Sequence, residues 1–265
     1  MTILENDSLT LDRLLDGRVS IWQPRRGYRV AIDAVFLAAA TPARPGERVL
    51  DVGTGVAAAA LCLATRTPNL KITGLDLQPA LLALGARNIS LYAESLENAP
   101  AEKPHTEITL IEGDVRHPPV TLRPGSFDRV MANPPFLKPG THTPAAESAN
   151  ALARGETEDA DLETWIKFCA AMVRPRGTVT MIHRADRIDE LLALLCPRFG
   201  GIVITPLWPR LGQPARRILA TGRRDVHSPA RLDFGMILHQ QDGAYTPEAE
   251  AVLRHAHALS PLSSE

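Results

Sequence analysis

The chain has 265 residues, of which 45% are hydrophobic and 22% charged, and its formal net charge is −1. These values are typical of a globular protein with a sizeable core, and they exclude a disordered polar chain or one coated in positive charge. The sequence has no apolar run of about 18 residues and no signal-peptide pattern at MTILENDSLT, so we expect a cytoplasmic protein without a membrane anchor.

The N-terminal part of the chain predicts a strand or hairpin in RVSIWQPRRGYRV and then an apolar helix in IDAVFLAAA. Because this part is too short for a separate domain, we expect residues 1–45 to form an extension packed on a main domain of residues 46–265.

From residue 48 onward, β-like runs alternate with helix-compatible segments, as in βαβ units. The predicted strands are residues 48–52, 71–77, 107–113, 127–133 and 178–184, and the predicted helices are 56–67, 79–92, 161–173 and 186–196. Three later strand-like runs leave little room for crossover helices, namely residues 201–208, 216–224 and 232–240. The pattern predicts an α/β fold with a Rossmann-like, doubly wound, mostly parallel sheet and an antiparallel C-terminal edge.

The connecting and terminal segments give further expectations. Thr246 and Pro247 suit the N-cap and first position of a closing helix. Residues 93–106 read as a polar surface insertion, and residues 137–160 as a long loop that is either a lid or disordered. The cysteines have no metal-site or disulfide spacing, so we expect no metal and three buried thiols at Cys62, Cys169 and Cys196.

A glycine-containing turn, DVGTGVA, follows the strand at residues 48–52. Gly53 and Gly55 allow a ligand to approach the backbone, and the helix that follows is expected to aim free N–H groups at it. The third glycine of the dinucleotide fingerprint is replaced by Ala58, and Asp51 is unfavourable beneath a pyrophosphate. The turn therefore favours a nucleotide-type ligand that carries an ammonium or sulfonium group.

Polar side chains also end the next three predicted strands. Asp76 stands at about the 20-residue spacing at which an acid reaches ribose hydroxyls, and Asp114 is suited to accept from an adenine amino group. Asn133 precedes two prolines and Phe136, and the prolines fix the turn and supply no N–H. An isolated Asn-Pro is an ordinary turn signal, but four polar strand ends in order predict a site for a planar amine.

With these motifs the chain resembles the class I S-adenosylmethionine-dependent methyltransferases over residues 27–259, and NPPF resembles their [Asn/Asp]-Pro-Pro-[Tyr/Phe] signature for planar nitrogens. The resemblance implies S-adenosylmethionine as cofactor. It implies the cofactor contacts Asp33, Asp51, Gly53, Gly55, Asp76, Leu77, Asp114, Val115 and Asn133. It also implies the catalytic residues Asn133, Pro134 and Phe136.

Within that family the chain is similar to the bacterial tRNA1(Val) adenine-37 N6-methyltransferases, through residues 27–39, 212–220 and 245–246. Ala57 and Phe136 depart from that group, where glycine and tyrosine are more usual. The resemblance implies methylation of adenine N6 in tRNA, with guanine N2 of ribosomal RNA or a protein glutamine amide as alternatives. A nucleotide-binding module without methyl transfer, or a nicotinamide dehydrogenase, is the alternative of a different class.

The implied mechanism needs no strong base. Asn133 Oδ1 and the Pro134 carbonyl would accept the two N–H bonds of the amine and so aim its lone pair at the methyl group. Phe136 would stack on an unpaired or flipped base, and the reaction would proceed mainly by proximity and orientation. His142 and His183 are alternative bases, but we expect surface or hydrogen-bonded histidines.

Arginines concentrate in two stretches of the chain. They are Arg13, Arg18, Arg25, Arg26 and Arg29 in the first, and Arg210, Arg216, Arg217, Arg223, Arg224 and Arg231 in the second. If the two stretches meet, they form a basic face for the phosphates of tRNA; separate solvated arginines are the alternative. The sequence leaves the oligomeric state open.

Overall fold

A mostly parallel β-sheet with helices on both faces organises the chain. The computed structural model describes residues 8–26, 29–97, 106–136 and 160–259. The strands are β1 (Leu9–Leu14), β2 (Val19–Pro24), β3 (Arg48–Val52), β4 (Lys71–Asp76), β5 (Glu107–Glu112), β6 (Phe127–Ala132), β7 (Val173–Arg184), β8 (Phe199–Trp208), β9 (Arg217–Arg224), β10 (Arg231–Leu232) and β11 (Met236–Ile237). The helices are α1 (Ile32–Ala40), α2 (Ala58–Arg66), α3 (Pro79–Glu97), α4 (Leu162–Met172), α5 (Ile188–Leu195) and α6 (Pro247–Leu253).

Within the described residues, the main sheet has nine strands in the order β10-β8-β9-β7-β6-β3-β4-β5, with β11 also paired to β8. The strands from β5 to β7 in this order are parallel, and β9 is antiparallel to both β7 and β8. The predicted mostly parallel sheet with an antiparallel edge is therefore confirmed. Successive strands lead away from β3 through β4 to β5, and β6 then pairs on the other side of β3. This reversal is the position at which open α/β sheets bind ligands.

Two apolar cores cover the two faces of the sheet. Residues of α1, α2, α3, α6 and the β1–β2 hairpin pack on one face, and residues of α4 and α5 pack on the other. β3 reads RVLDV and is buried at every position after Arg48, as expected for a strand covered on both faces. The doubly wound arrangement follows from this two-sided burial.

The hairpin of β1 and β2 is attached to α3. The Trp22 N–H donates to Asn88 Oδ1 at 2.7 Å, and Asn88 Nδ2 donates to the carbonyls of Trp22 and Val56. The Arg87 guanidinium lies 4.1 Å from the Trp22 ring centroid. The hairpin thus shares a core with the helices beside it, and the division of the chain at residue 45 stays a prediction.

The structure differs from expectation in three further places. The predicted strand 232–240 is reduced to two short pairings, because the chain passes to the outer side of β8 and runs parallel to it there. Helix α3 continues to Glu97, so residues 93–97 are helical rather than part of a surface insertion. Cys62 and Cys169 are buried as predicted, but Cys196 is exposed because it lies just after the end of α5.

The closing helix has the predicted cap, since Thr246 Oγ1 accepts from the Ala249 N–H at 3.2 Å and Pro247 opens the helix. The predicted loop at residues 137–160 lies outside the described residues except for residue 160. No helix in the described ranges combines the length and apolar character needed to cross a lipid bilayer.

Candidate active site

The ends of β4, β3 and β6 bring three predicted site residues into one row. Val52 of β3 pairs with Leu75 on one side and with Ala132 on the other. The next residue along each strand is Asp76, Gly53 and Asn133, respectively. Because neighbouring parallel strands stay in register, these three residues lie side by side at the carboxyl edge of the sheet, at its reversal point.

The glycine turn after β3 is closed by its own hydrogen bonds. The N–H groups of Gly53 and Thr54 donate to the Leu75 carbonyl at 2.8 and 3.0 Å, and the Gly55 N–H donates to Asp76 Oδ2 at 2.8 Å. Gly53 and Gly55 have φ angles of +72° and +54°, which favour glycine. The N–H groups of Gly53, Thr54 and Gly55 are thus already bonded to the end of β4, and only those of the following helix α2, which begins at Ala58, bear on the expectation of free N–H groups.

Two buried carboxyl groups lie beneath this turn. Asp51 is 2% exposed, and burial raises its pKa to about 7, although the Thr54 hydroxyl donates to it at 2.7 Å. Burial also raises the pKa of Asp76, whose second oxygen accepts from the Gln78 N–H at 2.9 Å. Acidic groups beneath a turn whose Gly53, Thr54 and Gly55 amides are already bonded are unfavourable for a phosphate and, when ionised, favourable for a cationic ligand.

Asp114 and its neighbours lie beyond the end of β5. The Arg116 guanidinium donates to both oxygens of Asp114, and this contact holds the pKa of the carboxyl below its ordinary value. Val115 packs against the core on the α4 side of the sheet, whereas the Leu77 side chain is exposed. Asp114 is thus already paired, and its predicted contact with adenine would require Arg116 to share it.

Asn133 presents an unsatisfied acceptor at the end of β6. Its Oδ1 atom is buried, and no described residue donates a hydrogen bond to it. Pro134 is buried and Pro135 exposed, and neither proline has an N–H to offer. A buried acceptor without a donor costs free energy that a ligand N–H would recover.

Phe136 is surrounded by three side chains from the later part of the chain. The Arg217 guanidinium lies 4.5 Å from the Phe136 ring centroid, and His183 meets the ring edge-on at 5.3 Å between centroids. The Arg187 guanidinium donates to the Phe136 carbonyl at 3.1 Å and pairs with Glu190. These contacts fix the position of the ring and cover one of its faces.

Asp33 holds Arg217 in this position. The Arg217 Nε–H donates to Asp33 Oδ2 at 3.0 Å, and Asp33 is buried in the first turn of α1. Sequence reasoning treated Asp33 as a cofactor contact and Arg217 as part of a basic stretch. The two residues are 184 positions apart, and no local pattern links them.

Two further residues lie near the site, namely Trp165, for which the sequence gives no signal, and His183, which the sequence offers only as an alternative base. The Trp165 indole of α4 lies over Gly53, so that a Cβ atom at Gly53 would stand 2.6 Å from Trp165 Cη2. His183 is fully buried, and neither ring nitrogen has a partner among the described residues. The expectation of a surface position is wrong for His183, because its ring is buried beside Phe136 and Arg187. His142 lies outside the described residues.

Burial lowers the pKa of His183 to about 4, and the nearby Arg187 cation lowers it further in the same direction. The ring is therefore neutral at pH 7 and holds a proton weakly. It serves better as a packing partner for Phe136 than as a general base.

The second arginine stretch is divided between the two edges of the sheet. Arg217 pairs with Arg184 at the carboxyl edge, whereas Arg223 pairs with Thr178 at the opposite edge. The second stretch alone therefore does not form one continuous basic face, because β9 carries its two ends to different edges. In the described part of the chain, no group of three or more His, Cys, Asp or Glu side chains is placed to hold a metal ion.

The donor set of the site fits S-adenosylmethionine. Two buried carboxyl groups lie at the turn, where Asp51 would face a cationic group and Asp76 would accept from ribose hydroxyls, and Asn133 Oδ1 offers a buried acceptor next to it. Asp51, Asp76 and the backbone at Gly53 and Gly55 are the residues that would hold this cofactor.

Comparison with known proteins agrees with this geometry. A family model described as "Methyltransferase domain" matches residues 49–156. The chain is 27% identical over 224 residues to a tRNA1(Val) (adenine(37)-N6)-methyltransferase of Aeromonas hydrophila, covering 84% of this chain and 87% of the relative. It is 29% identical over 241 residues to the protein of that name in Porphyromonas gingivalis, covering 87% and 89%.

Among solved structures, the chain is similar to a predicted O-methyltransferase of Agrobacterium tumefaciens. The TM-score is 0.67 at 23% sequence identity, and the alignment covers 86% of this chain and 98% of the other. This similarity concerns the fold.

Proposed function

We propose that this chain, which carries a methyltransferase domain on the class I fold, transfers a methyl group from S-adenosylmethionine to an exocyclic amino nitrogen of an RNA base, namely adenine N6 of a tRNA. The observation that carries this proposal is the buried, unsatisfied Oδ1 atom of Asn133. It lies in one row with Gly53 and Asp76 and three residues before an aromatic ring. The choice of tRNA rests on the names of the relatives.

The residues at the end of β6 are proposed to bind and orient the amine. Asn133 Oδ1 and the Pro134 carbonyl accept hydrogen bonds from the two N–H groups of the amine. These bonds turn the nitrogen lone pair out of the plane of the base and towards the cofactor side of the site. S-adenosylmethionine, when bound, supplies an electrophilic methyl group on a sulfonium. Because these acceptors align the reacting atoms, orientation is the main contribution of the protein.

Phe136 is proposed to stack on the target base. Arg217 covers one face of the ring, so the base uses the other face. Stacking of a base on an aromatic side chain contributes about 1–3 kcal/mol. The target nucleotide must be unpaired or flipped out of its helix to reach the ring.

Other parts of the chain have supporting roles in the proposal. Asp33, Leu77, Asp114 and Val115 are proposed as further cofactor contacts, and residues 1–45 as an extension of the methyltransferase domain of residues 46–265. The arginines of the N-terminal stretch, with Arg216 and Arg217, are proposed to contact tRNA phosphates. The proposed setting is the cytoplasm.

Methyl transfer from radiolabelled S-adenosylmethionine tests the proposal. The wild-type chain and Asn133→Ala are incubated separately with unmodified tRNA, ribosomal RNA and protein extract, and the labelled product is identified by nucleoside analysis. We expect N6-methyladenine in tRNA and a loss of at least a hundredfold in the variant. Calorimetry with S-adenosylmethionine measures separately how much Asn133 contributes to cofactor binding.

The substrate pools separate the alternatives. Label found only in ribosomal RNA as N2-methylguanine, or only in protein as a methylated glutamine amide, would keep the role of Asn133 and overturn the tRNA substrate. Equal transfer by wild type and Asn133→Ala would overturn the role of Asn133.

A further inference from the structure

A cavity of about 450 Å³ lies at the edge of the sheet opposite to the candidate active site. Its lining includes five arginines and one acid, namely Arg44, Arg129, Arg174, Arg176, Arg223 and Glu47. These residues come from the connection before β3, from the amino ends of β6 and β7 and from the end of β9. Since five-residue β3 separates the two edges by about 15 Å, the cavity is a separate place from the methyl-transfer site.

Two of the five arginines are neutralised by carboxylates. Arg129 donates to both oxygens of Glu47 at 2.9 and 2.7 Å and to Thr178 Oγ1 at 2.8 Å, with its side chain 13% exposed. Arg174 pairs with Asp128 at 2.5 Å. The guanidinium donors of Arg129 are therefore already used, and the side chain forms a fixed floor of the cavity.

The other three arginines bring an uncompensated positive charge. Within the described ranges, the side chains of Arg44, Arg176 and Arg223 have no ion pair with an acidic residue. All three are exposed. Three guanidinium groups converging on one cavity, in a chain of net charge −1, favour an anion, and their planar donor pairs match phosphate oxygens.

A local irregularity of β7 places two of these arginines at the cavity. Phe127 pairs with Val173 and Arg129 pairs with Thr178, so residues 174–177 bulge from the strand. Arg176 has a φ angle of +62°, a left-handed conformation that costs a non-glycine residue about 1–2 kcal/mol. Gly177 keeps the bulge close to the sheet, since a Cβ atom there would lie 2.8 Å from the Asp128 carbonyl oxygen. Strained backbone of this kind occurs at ligand-binding positions.

We propose that this arginine cavity binds phosphate groups, carried either by the backbone of an RNA or by a free nucleotide. Arg44, Arg176 and Arg223 make the contacts, and Arg129 with Glu47 holds the floor. The proposal does not depend on methyl transfer, because the cavity shares no residue with the carboxyl edge of the sheet.

Binding of pyrophosphate and of an unmodified tRNA transcript tests the proposal. The variants are the double substitution Arg176→Gln with Arg223→Gln and, as matched control, Arg123→Gln, an exposed arginine that precedes β6 outside the cavity. We expect calorimetry to show that the double variant binds pyrophosphate at least tenfold more weakly, while the control equals wild type. Unchanged S-adenosylmethionine binding shows that the variants are folded.

The tRNA measurement identifies the source of the phosphate. If RNA occupies the cavity, fluorescence anisotropy will show weaker tRNA binding by the double variant. The salt dependence of its tRNA affinity will correspond to about two fewer phosphate contacts. Weaker pyrophosphate binding with unchanged tRNA binding supports a free nucleotide as ligand. Equal pyrophosphate binding by wild type and double variant overturns the proposal, whereas a lack of methyl transfer by the wild type affects only the function proposed above.

Discussion

The guanidinium of Arg217 lies 4.5 Å from the centroid of the Phe136 ring. The two residues come from β9 and from the turn after β6, and the cation covers one face of the ring. A guanidinium on an aromatic face contributes about 0.5–2 kcal/mol. Arg217 therefore restrains the ring on which the target base is proposed to stack.

Replacing Arg217 by methionine keeps the length of the side chain and removes the charge. We expect Arg217→Met to lower kcat/KM for the RNA about tenfold, equivalent to about 1.4 kcal/mol, with the Kd of S-adenosylmethionine within twofold of wild type. Steady-state methyl transfer and calorimetry measure the two quantities. The kcat/KM of Arg217→Lys should lie between those of wild type and Arg217→Met, since lysine keeps the charge without the planar fork. A loss confined to cofactor binding would contradict the positioning role of Arg217.

Asp33→Asn separates two roles of the same residue. Asp33 accepts from Arg217, and the family resemblance also makes it a cofactor contact. We expect the variant to raise the KM for RNA severalfold, because Arg217 loses its charged partner. Calorimetric titration with S-adenosylmethionine measures the second role: a Kd raised tenfold or more supports a direct contact, and an unchanged Kd leaves only the role through Arg217.

Asp51 is expected to make stability depend on pH. Its pKa is raised from 3.8 to about 7 in the folded chain, so the folded state holds a proton that the unfolded state releases. Binding of this proton stabilises the folded state. The stabilisation is fully present below about pH 4 and is lost as the pH rises through about 7.

Asp51→Asn removes that dependence. The free energy of unfolding of the variant minus that of wild type should be about 2–3 kcal/mol larger at pH 8 than at pH 5, because wild type loses stability over this range and the variant does not. Urea unfolding of both proteins at the two pH values measures it. A difference that does not change with pH would mean that Asp51 titrates near its ordinary value.

Gly53 and Gly46 provide a matched pair of glycines. Both have positive φ angles, +72° and +87°, but a Cβ atom at Gly53 would meet Trp165 whereas one at Gly46 would have no neighbour within 4 Å. We expect Gly46→Ala to cost about 1–2 kcal/mol through backbone strain alone. Gly53→Ala should cost about 1 kcal/mol more and change the tryptophan fluorescence; equal losses of stability in urea unfolding would show that the indole moves without cost.

The sheet and the row of polar strand ends were predictable because their signals are local. Alternating apolar runs and turn residues define each βα unit, and the ends of parallel strands must meet at one edge. Asp76 and Asn133 therefore lie beside Gly53 as the sequence predicts. The hydrogen bonds of the glycine turn were missed because their acceptor, the Leu75 carbonyl, depends on the pairing of β3 with β4.

The contacts made by the C-terminal third of the chain could not be predicted. Arg217 reaches Phe136 and Asp33 only through the antiparallel pairing of β9 with β7, whose register no local pattern specifies. The arginine cavity depends in the same way on the bulge at residues 174–177 and on Arg223. The burial of His183 beside Phe136 likewise depends on a contact between distant parts of the chain.

Strand β9 fixes the distance between the candidate active site and the arginine cavity. One continuous strand runs from Arg217 beside Phe136 to Arg223 at the arginine cavity, a span of residues 217–223. At about 3.4 Å per residue this corresponds to about 20 Å. Because the strand is hydrogen-bonded to neighbours on both sides, it can neither stretch nor bend as a loop would. A molecule that engages both ends at once must therefore match this distance, so the chain would select it by its dimensions as well as by its chemistry.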